Sequence, residues 1–471
     1  MSEQTIEDFL NKEYKDTVIP TIEEFIKIEN QSRAFDPQWE TNGWNEKVCK
    51  FAVDFAKKIG VECKTLIIDE EKGKTPVVVL VAEPETFESN ILMYGHLDKQ
   101  PPLTEEWTDG LKPYVPITRD GKLYGRGGAD DGYAFFTSAL ILKALQKFKL
   151  LKSRVVLFFE TDEESGSKDL IYFLEKNKNH VGNPDLVICL DSGCADYNHM
   201  CLTTTLRGVM NFRVKVEVLK NGVHSGMGSG IVPDSFRIGR KIIEQIEVSD
   251  NGQLLLEDFY TNIPDDKYKE ACDLVKSVGG KVDFQFPFLD GVHPTVEDGL
   301  KQYLNRNWMP QLTLIAMDGV PNVKNAGNVL RPFTTFGFSM RLPPNLPKEK
   351  AEGTLNDFFA KKLVRPYNAK VTHEIVGLGQ GFNAPTIDPN LNALIQEACQ
   401  KSYGKPCLFY GEGGSIPFIN ELNAKFPKSQ FIVTGVLGPL SNAHGPNEFL
   451  HLAYLNKLLL TLTHILKAYK K

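Results

Sequence analysis

The sequence predicts an α/β protein: a mainly parallel-sheet domain interrupted by an inserted α+β domain with a four-stranded sheet plus helices. Three observations predict the architecture. Short, continuously apolar runs alternate with helical stretches as far as Leu190, the pattern of strands covered on both faces. Near Arg207-Gly208 the runs become strictly alternating, as in Phe212-Arg213-Val214-Lys215-Val216, so one strand face meets water and antiparallel pairing is expected. From Asp388 the first style returns. Residues 1–206 and 383–471 are thus expected to form one domain and residues 207–382 the insert.

In chain order, Ile6 to Ile28 has helical spacing broken at Pro20, and 44–59 forms a second helix with Val48, Phe51, Ala52 and Phe55 on one face. Strands follow at Thr65–Ile68, Pro76–Ala82 and Asn90–Tyr94. Asp130 opens a long helix over about 131–148. A strand at Arg154–Phe159, a helix near 167–177 and a strand at Leu186–Leu190 complete the first half. Within the insert, strands are expected at 211–218, 312–317, 334–342 and 371–376, with amphipathic helices at about 233–247 and 348–363. The last part has a helix from Asp388 to Tyr403, a strand at Phe431–Val436 and a closing helix over 450–469.

The 471 residues suffice for two or three domains, and 42% hydrophobic with 24% charged residues is ordinary globular composition. A net charge of −6 gives no reason to expect nucleic acid or an anionic membrane as partner. The N-terminus lacks the basic and apolar regions of a signal peptide, and no stretch approaches a membrane span. Eight cysteines without a C-x-x-C pair are expected as free thiols in the cytoplasm.

Three apolar runs end in metal-binding chemistry. The first ends at Gly95-His96-Leu97-Asp98, where an extended backbone would put imidazole and carboxylate on one side, suiting a ligand His steadied by an Asp. The second ends in Asp162-Glu163-Glu164-Ser165-Gly166 and the third in Asp191-Ser192-Gly193. Functional groups gather at the carboxyl ends of parallel strands, so His96, Glu163, Glu164 and Asp191 should share one rim. Asp130 and Asp131 follow a glycine-rich turn at a helix start, where capping is the plainer role. Several carboxylates on one rim repel unless cations lie among them, and a His in the set suggests zinc rather than magnesium. Glu160, Asp162 and the histidines outside motifs are expected to be structural.

With these stretches, Tyr124-Gly125-Arg126-Gly127-Gly128-Ala129-Asp130-Asp131, His224-Ser225-Gly226 and Ala443-His444-Gly445, the chain resembles the M20 metallopeptidases, their carnosinase-like dipeptidase branch most. The resemblance spans nearly the whole chain and implies that the insert is a lid and dimerisation domain. It implies two divalent ions per subunit, Zn²⁺ first, with Mn²⁺ or Co²⁺ as alternatives. Asp130 would bridge them; His96 and Asp191 would hold one, Glu164 and His444 the other. Asp98 would orient His96, and Glu163 would be the general base. The peptide Asp130-Asp131 is expected to be cis. The chain departs from the family after Asp131, with Gly132-Tyr133 where many members have Lys-Gly, which affects the helix start.

Phe409 to Pro417, containing Gly413, Gly414 and Ser415, looks like a glycine-rich turn before a helix, whose N–H groups favour an anion. The resemblance makes that anion a peptide's terminal carboxylate, with Arg341 as its partner. Asn328 stands where the branch often has Thr, with a weaker claim to a substrate contact. His224 would act in trans across a homodimer, donating a hydrogen bond to the oxyanion. The implied activity is hydrolysis of dipeptides or short peptides. The rivals are an N-acyl amino acid deacylase and a non-catalytic, metal-stabilised binding protein, the latter having no use for Glu163.

Overall fold

The computed structural model describes residues 4–282, 286–414 and 417–470. At its centre is a six-stranded sheet in the order Thr65–Asp69, Val77–Ala82, Arg154–Glu160, Asn90–His96, Leu186–Cys189, Gln430–Val433. The last four strands run parallel; Val77–Ala82 pairs antiparallel with Thr65–Asp69 on one side and Arg154–Glu160 on the other, so it alone runs against the rest. Alternate residues feed two cores. Val78, Leu80, Ile91 and Met93 pack on one face with the helices Trp44–Lys58, Tyr133–Lys147 and Leu452–Ala468. Val77, Val79, Leu92 and Tyr94 pack on the other with Phe173, Phe418 and Leu422. Burial on both faces is the reason these strands are continuously apolar.

The N-terminal helix is two helices, Ile6–Glu13 and Ile19–Ile26, joined by a π turn over Tyr14–Val18; Pro20 sits in the first turn of the second, where its missing N–H is harmless. A second sheet is fully antiparallel, in the order Gln311–Asp318, Phe333–Leu342, Gly208–Glu217, Lys370–Gly379. Its alternation buries Met210, Phe212, Val214 and Val216 with Phe336, Phe338 and Met340 against Ile238, Ile242, Ala351 and Leu355 of the helices Ser235–Ile243 and Lys348–Asp357. Two helices absent from the sequence reading, Asp265–Ser277 and Gly299–Asn307, send Ala271, Leu274 and Tyr303 into the core of the six-stranded sheet. Among the described residues no helix is long and apolar enough to cross a membrane.

Candidate active site

His96 closes the strand Asn90–His96, Asp191 follows Leu186–Cys189 by two residues, and Glu163 and Glu164 begin a 3-10 turn just past Arg154–Glu160. His96 pairs with Glu160 across the ladder, so the parallel strands end flush and these side chains share one rim. Asp130 arrives on the turn before the helix Tyr133–Lys147, and the Asp130-Asp131 peptide is cis, as expected. Gly132 and Tyr133 are both packed: a Cβ on Gly132 would lie 2.1 Å from Phe25, and the Tyr133 hydroxyl donates to the Leu190 carbonyl.

The two oxygens of Asp130 face different histidines. Oδ1 lies 3.2 Å from His96 Nε2, and Oδ2 lies 3.2 Å from His444 Nε2. Asp191 Oδ2 is 3.9 Å from His96 Nε2, and Glu164 Oε2 is 3.4 Å from His444 Nε2. Two ligands of a tetrahedral zinc, each about 2.0–2.1 Å from it, stand about 3.3 Å apart. Three of the four separations match that spacing, and the Asp191–His96 pair is wider. Ligand atoms of His96, Asp130 and Glu164, and separately of His96, Glu163 and Asp191, also lie within 4.8 Å of one another.

The electrostatics agree. Burial, then the Asp191 charge, pushes Glu163 well above the usual carboxylate range; burial, then Asp130, does the same to Glu164. Burial, with the Asp130 charge adding to it, pushes Asp191 up to about 7. Glu164 Oε1 is buried with no hydrogen-bond partner. Crowded, desolvated carboxylates of this kind fit cations.

Asp98 does more than orient an imidazole. Its carboxylate oxygen Oδ1 is 3.3 Å from His96 Nδ1 and accepts the Glu163 amide at 3.2 Å, while Oδ2 accepts the Glu164 amide at 3.1 Å. Asp131 Oδ2 accepts the His96 amide at 3.2 Å, and a Cβ on Gly95 would lie 2.4 Å from that oxygen, so only glycine fits there. The turn bearing Glu163 and Glu164 is also held from the N-terminal segment. Arg33 reaches Asp162 and Asp169, both at 2.7 Å, and the Ala34 amide donates to Ser165 Oγ at 2.9 Å. Glu160 accepts from Tyr94 and Ser167, so it and Asp162 have the structural partners expected of them.

A cleft of about 320 Å³ is lined by Gln100, Asp130, Glu163, Glu164, Asp191, Glu412, Gly414 and His444. The stretch before Gly413 is not a turn: Leu408–Glu412 is a strand parallel to Cys201–Leu206, fixed by the ladder between them. Glu412 was missed by the sequence reading, which noticed only the glycines around it. Its Oε2 accepts from Ser192 Oγ at 2.7 Å, beside Asp191. Arg207 donates from Nε to the Gly413 carbonyl at 2.9 Å and from its amide to Gly414 at 3.0 Å. Burial, then the charges of Arg341 and Arg306, pushes Arg207 down to about 9, and a Cβ on Gly413 would lie 2.7 Å from the Arg306 side chain and 3.3 Å from that of Arg207. Ser415 lies outside the described residues. Arg341 is half-buried on Phe333–Leu342, opposite Val209 and Gln311. His224 is exposed on the two-residue strand Val223–His224, and the Ser225 amide donates to the Asn328 carbonyl at 2.9 Å. His224, Asn328 and Arg341 are not among the residues lining this cleft.

Known proteins are similar to this chain in sequence and in fold. The description of peptidase family M20/M25/M40 matches residues 92–468. The cysteinylglycine-S-conjugate dipeptidase of Corynebacterium striatum is 29% identical over 405 residues, covering 83% of this chain and 85% of that protein. The Beta-Ala-His dipeptidase of Homo sapiens is 23% identical over 454 residues, covering 92% and 86%. The solved structure of the dipeptidase Dug1p from Saccharomyces cerevisiae has the same fold, with a TM-score of 0.76 at 19% identity over 98% of this chain and 97% of that one. With most of its length matched, its motifs in order and the rim assembled, the chain belongs to peptidase family M20/M25/M40 and is a hydrolytic peptidase.

Proposed function

We propose that this peptidase hydrolyses the peptide bond of dipeptides and other short peptides, using two divalent cations per subunit and Glu163 as general base. The observation that carries the reading is the division of Asp130 between two histidines, each with a further carboxylate beside it. His96, Asp191 and Asp130 would hold one cation, and His444, Glu164 and Asp130 the other. Imidazole with carboxylate suits Zn²⁺, and also Mn²⁺ or Co²⁺. When bound, such ions acidify a water and polarise the scissile carbonyl. Glu163, close to His96 and Asp191, takes the attacking water's proton and gives it to the leaving amine. Asp98 holds His96 and the amide of Glu163 in one frame, fixing base and ligand together.

The substrate's two ends follow from charge. Gly413, Gly414 and Arg341 would receive its terminal carboxylate, with Arg207 adding positive potential. Glu412, in the acidic part of the cleft, would receive a free α-amine. A volume of about 320 Å³ lies at the small end for ligand sites, which suits a dipeptide. An N-acyl amino acid would leave the Glu412 carboxylate facing an uncharged group, so the deacylase reading is disfavoured. The test is a screen of Ala-Ala, tripeptides and N-acetyl-alanine with each metal added to stripped enzyme, repeated with Glu412→Gln. Dipeptides should turn over fastest. Losing one charge-assisted contact of about 1.5–3 kcal/mol should lower their kcat/KM about 10- to 100-fold in the variant. N-acetyl-alanine cleaved faster than Ala-Ala would reverse the assignment.

The same proposal makes residues 207–382 a lid and the protein a homodimer, with His224 acting in trans. Two features support it. His224 Nδ1 accepts the Gly226 amide at 3.1 Å, so in the neutral ring the proton lies on Nε2, ready to donate. Nearby Met227 and Ile231 are 77% and 84% exposed, and the edge strand Gln311–Asp318 exposes Leu314, Ile315 and Met317. A partner subunit would cover such an edge. Eight free cysteines, six of them buried, suit the cytoplasm.

A further inference from the structure

We propose that Glu448 and Arg126 form a buried latch that fixes Asp130 relative to His444, making Glu448 a positioning residue of the metal cluster. The inference builds on the two-metal reading. Glu448 is fully buried four residues after His444, and Arg126, 1% exposed, lies four residues before Asp130. Arg126 Nη1 meets Glu448 Oε2 at 2.8 Å. The carboxylate also accepts the amides of the turn that carries Asp130: Gly127 at 3.0 Å, Ala129 at 3.1 Å and Asp130 itself at 3.3 Å. Arg126 reaches back from Nη2 to the Gly445 carbonyl at 2.8 Å, one residue past His444, and from Nε to the Pro101 carbonyl at 3.0 Å.

The turn has a physical need for this acceptor. Asp130 and Asp131 have non-helical dihedrals, so no helix supplies carbonyls to the preceding N–H groups. Buried amides must find partners, and one carboxylate serves three of them. The ion pair closes on itself: Glu448 grips the Asp130 turn, and Arg126 from that turn grips the His444 loop. Asp98 steadies His96 and the Glu163 turn; the latch steadies Asp130 and His444. An ordinary structural ion pair would support the fold at large, whereas among the described residues every hydrogen bond to the Glu448 carboxylate comes from within four residues of Asp130.

The test uses the full chain. Glu448→Gln keeps the shape but leaves one acceptor oxygen and sets an NH₂ among donors. Because it strands Arg126, the double variant Arg126→Met/Glu448→Gln, which leaves no unpaired charge, is measured beside it. In metal-free protein, amide exchange over residues 126–131 should rise about tenfold or more while the strand Leu186–Cys189 stays protected. Zn²⁺ affinity, read by competition with a chelator, should fall about 10- to 100-fold. Wild-type exchange over 126–131 in both variants, or a rise spread evenly along the chain, overturns the latch. Fewer than two Zn²⁺ bound by the wild type would instead sink the two-metal reading, since the exchange result is obtained without metal.

Discussion

Asp98→Asn tests whether one carboxylate sets both a ligand and the base. Asn fits the same space but offers one oxygen and one NH₂. The native oxygens accept the Glu163 amide at 3.2 Å and the Glu164 amide at 3.1 Å, and Oδ1 also lies 3.3 Å from His96 Nδ1. In either flip the NH₂ confronts one of those amides, so one charge-assisted hydrogen bond, about 1.5–3 kcal/mol, is lost. The flip that keeps oxygen on the His96 side frees the Glu164 amide; the other frees that of Glu163 and turns a donor towards the imidazole. The Asp98 carbonyl, 3.1 Å from His96 Nδ1, stays in the variant, so losing the carboxylate charge beside the imidazole should weaken it as a ligand by about tenfold, the low end of an outer-partner effect. A combined loss of about 3 kcal/mol corresponds to about a hundredfold in kcat/KM. The assay is steady-state dipeptide hydrolysis with Zn²⁺ titration, with circular dichroism to confirm the fold. A folded variant within about threefold of wild type in both turnover and Zn²⁺ affinity would refute the shared-frame argument.

Glu163→Gln should keep both metals by elemental analysis and lose turnover; retained activity would remove Glu163 as the base. His224→Ala should lower kcat about a hundredfold, the typical weight of an oxyanion donor. When equal amounts of these two variants exchange subunits, half the dimers are mixed and each has one intact site, so activity should recover to about a quarter of wild type. If exchange is verified and no activity returns, His224 does not act across the interface.

The rim was legible because its residues sit at the ends of apolar runs, and parallel strands in flush register carry those ends to one edge. His96, Glu163, Glu164 and Asp191 needed nothing beyond that rule. Asp130 and His444 did not follow from it, since each rides on a turn whose place is set by contacts across the fold; only the motif resemblance singled them out. Strand direction was hidden for Val77–Ala82, because burial on both faces gives the same continuous apolar run whichever way a strand points. Glu412 was hidden because its strand, Leu408–Glu412, ends in glycines that suggest a turn. Glu448 was invisible for a different reason: its partner Arg126 is 322 residues away, and an isolated Glu carries no periodicity.

The bonds of Arg33 and Lys99 that tie the N-terminal segment to the rest of the fold bear on the smallest piece of this chain that can work. The family match begins at residue 92, yet Arg33 clamps Asp162 and Asp169 on either side of that turn, and the buried Lys99 ammonium donates to the carbonyls of Phe25 and Ile28. A fragment trimmed to residues 92–468 would keep every proposed metal ligand. It would also leave Asp162 and Asp169 without their clamp and a buried ammonium without acceptors. The boundary of the enzyme as a physical object therefore lies upstream of its recognisable sequence, and expression or grafting should keep the helices Ile6–Glu13 and Ile19–Ile26, which put Leu10 and Ile22 into the core.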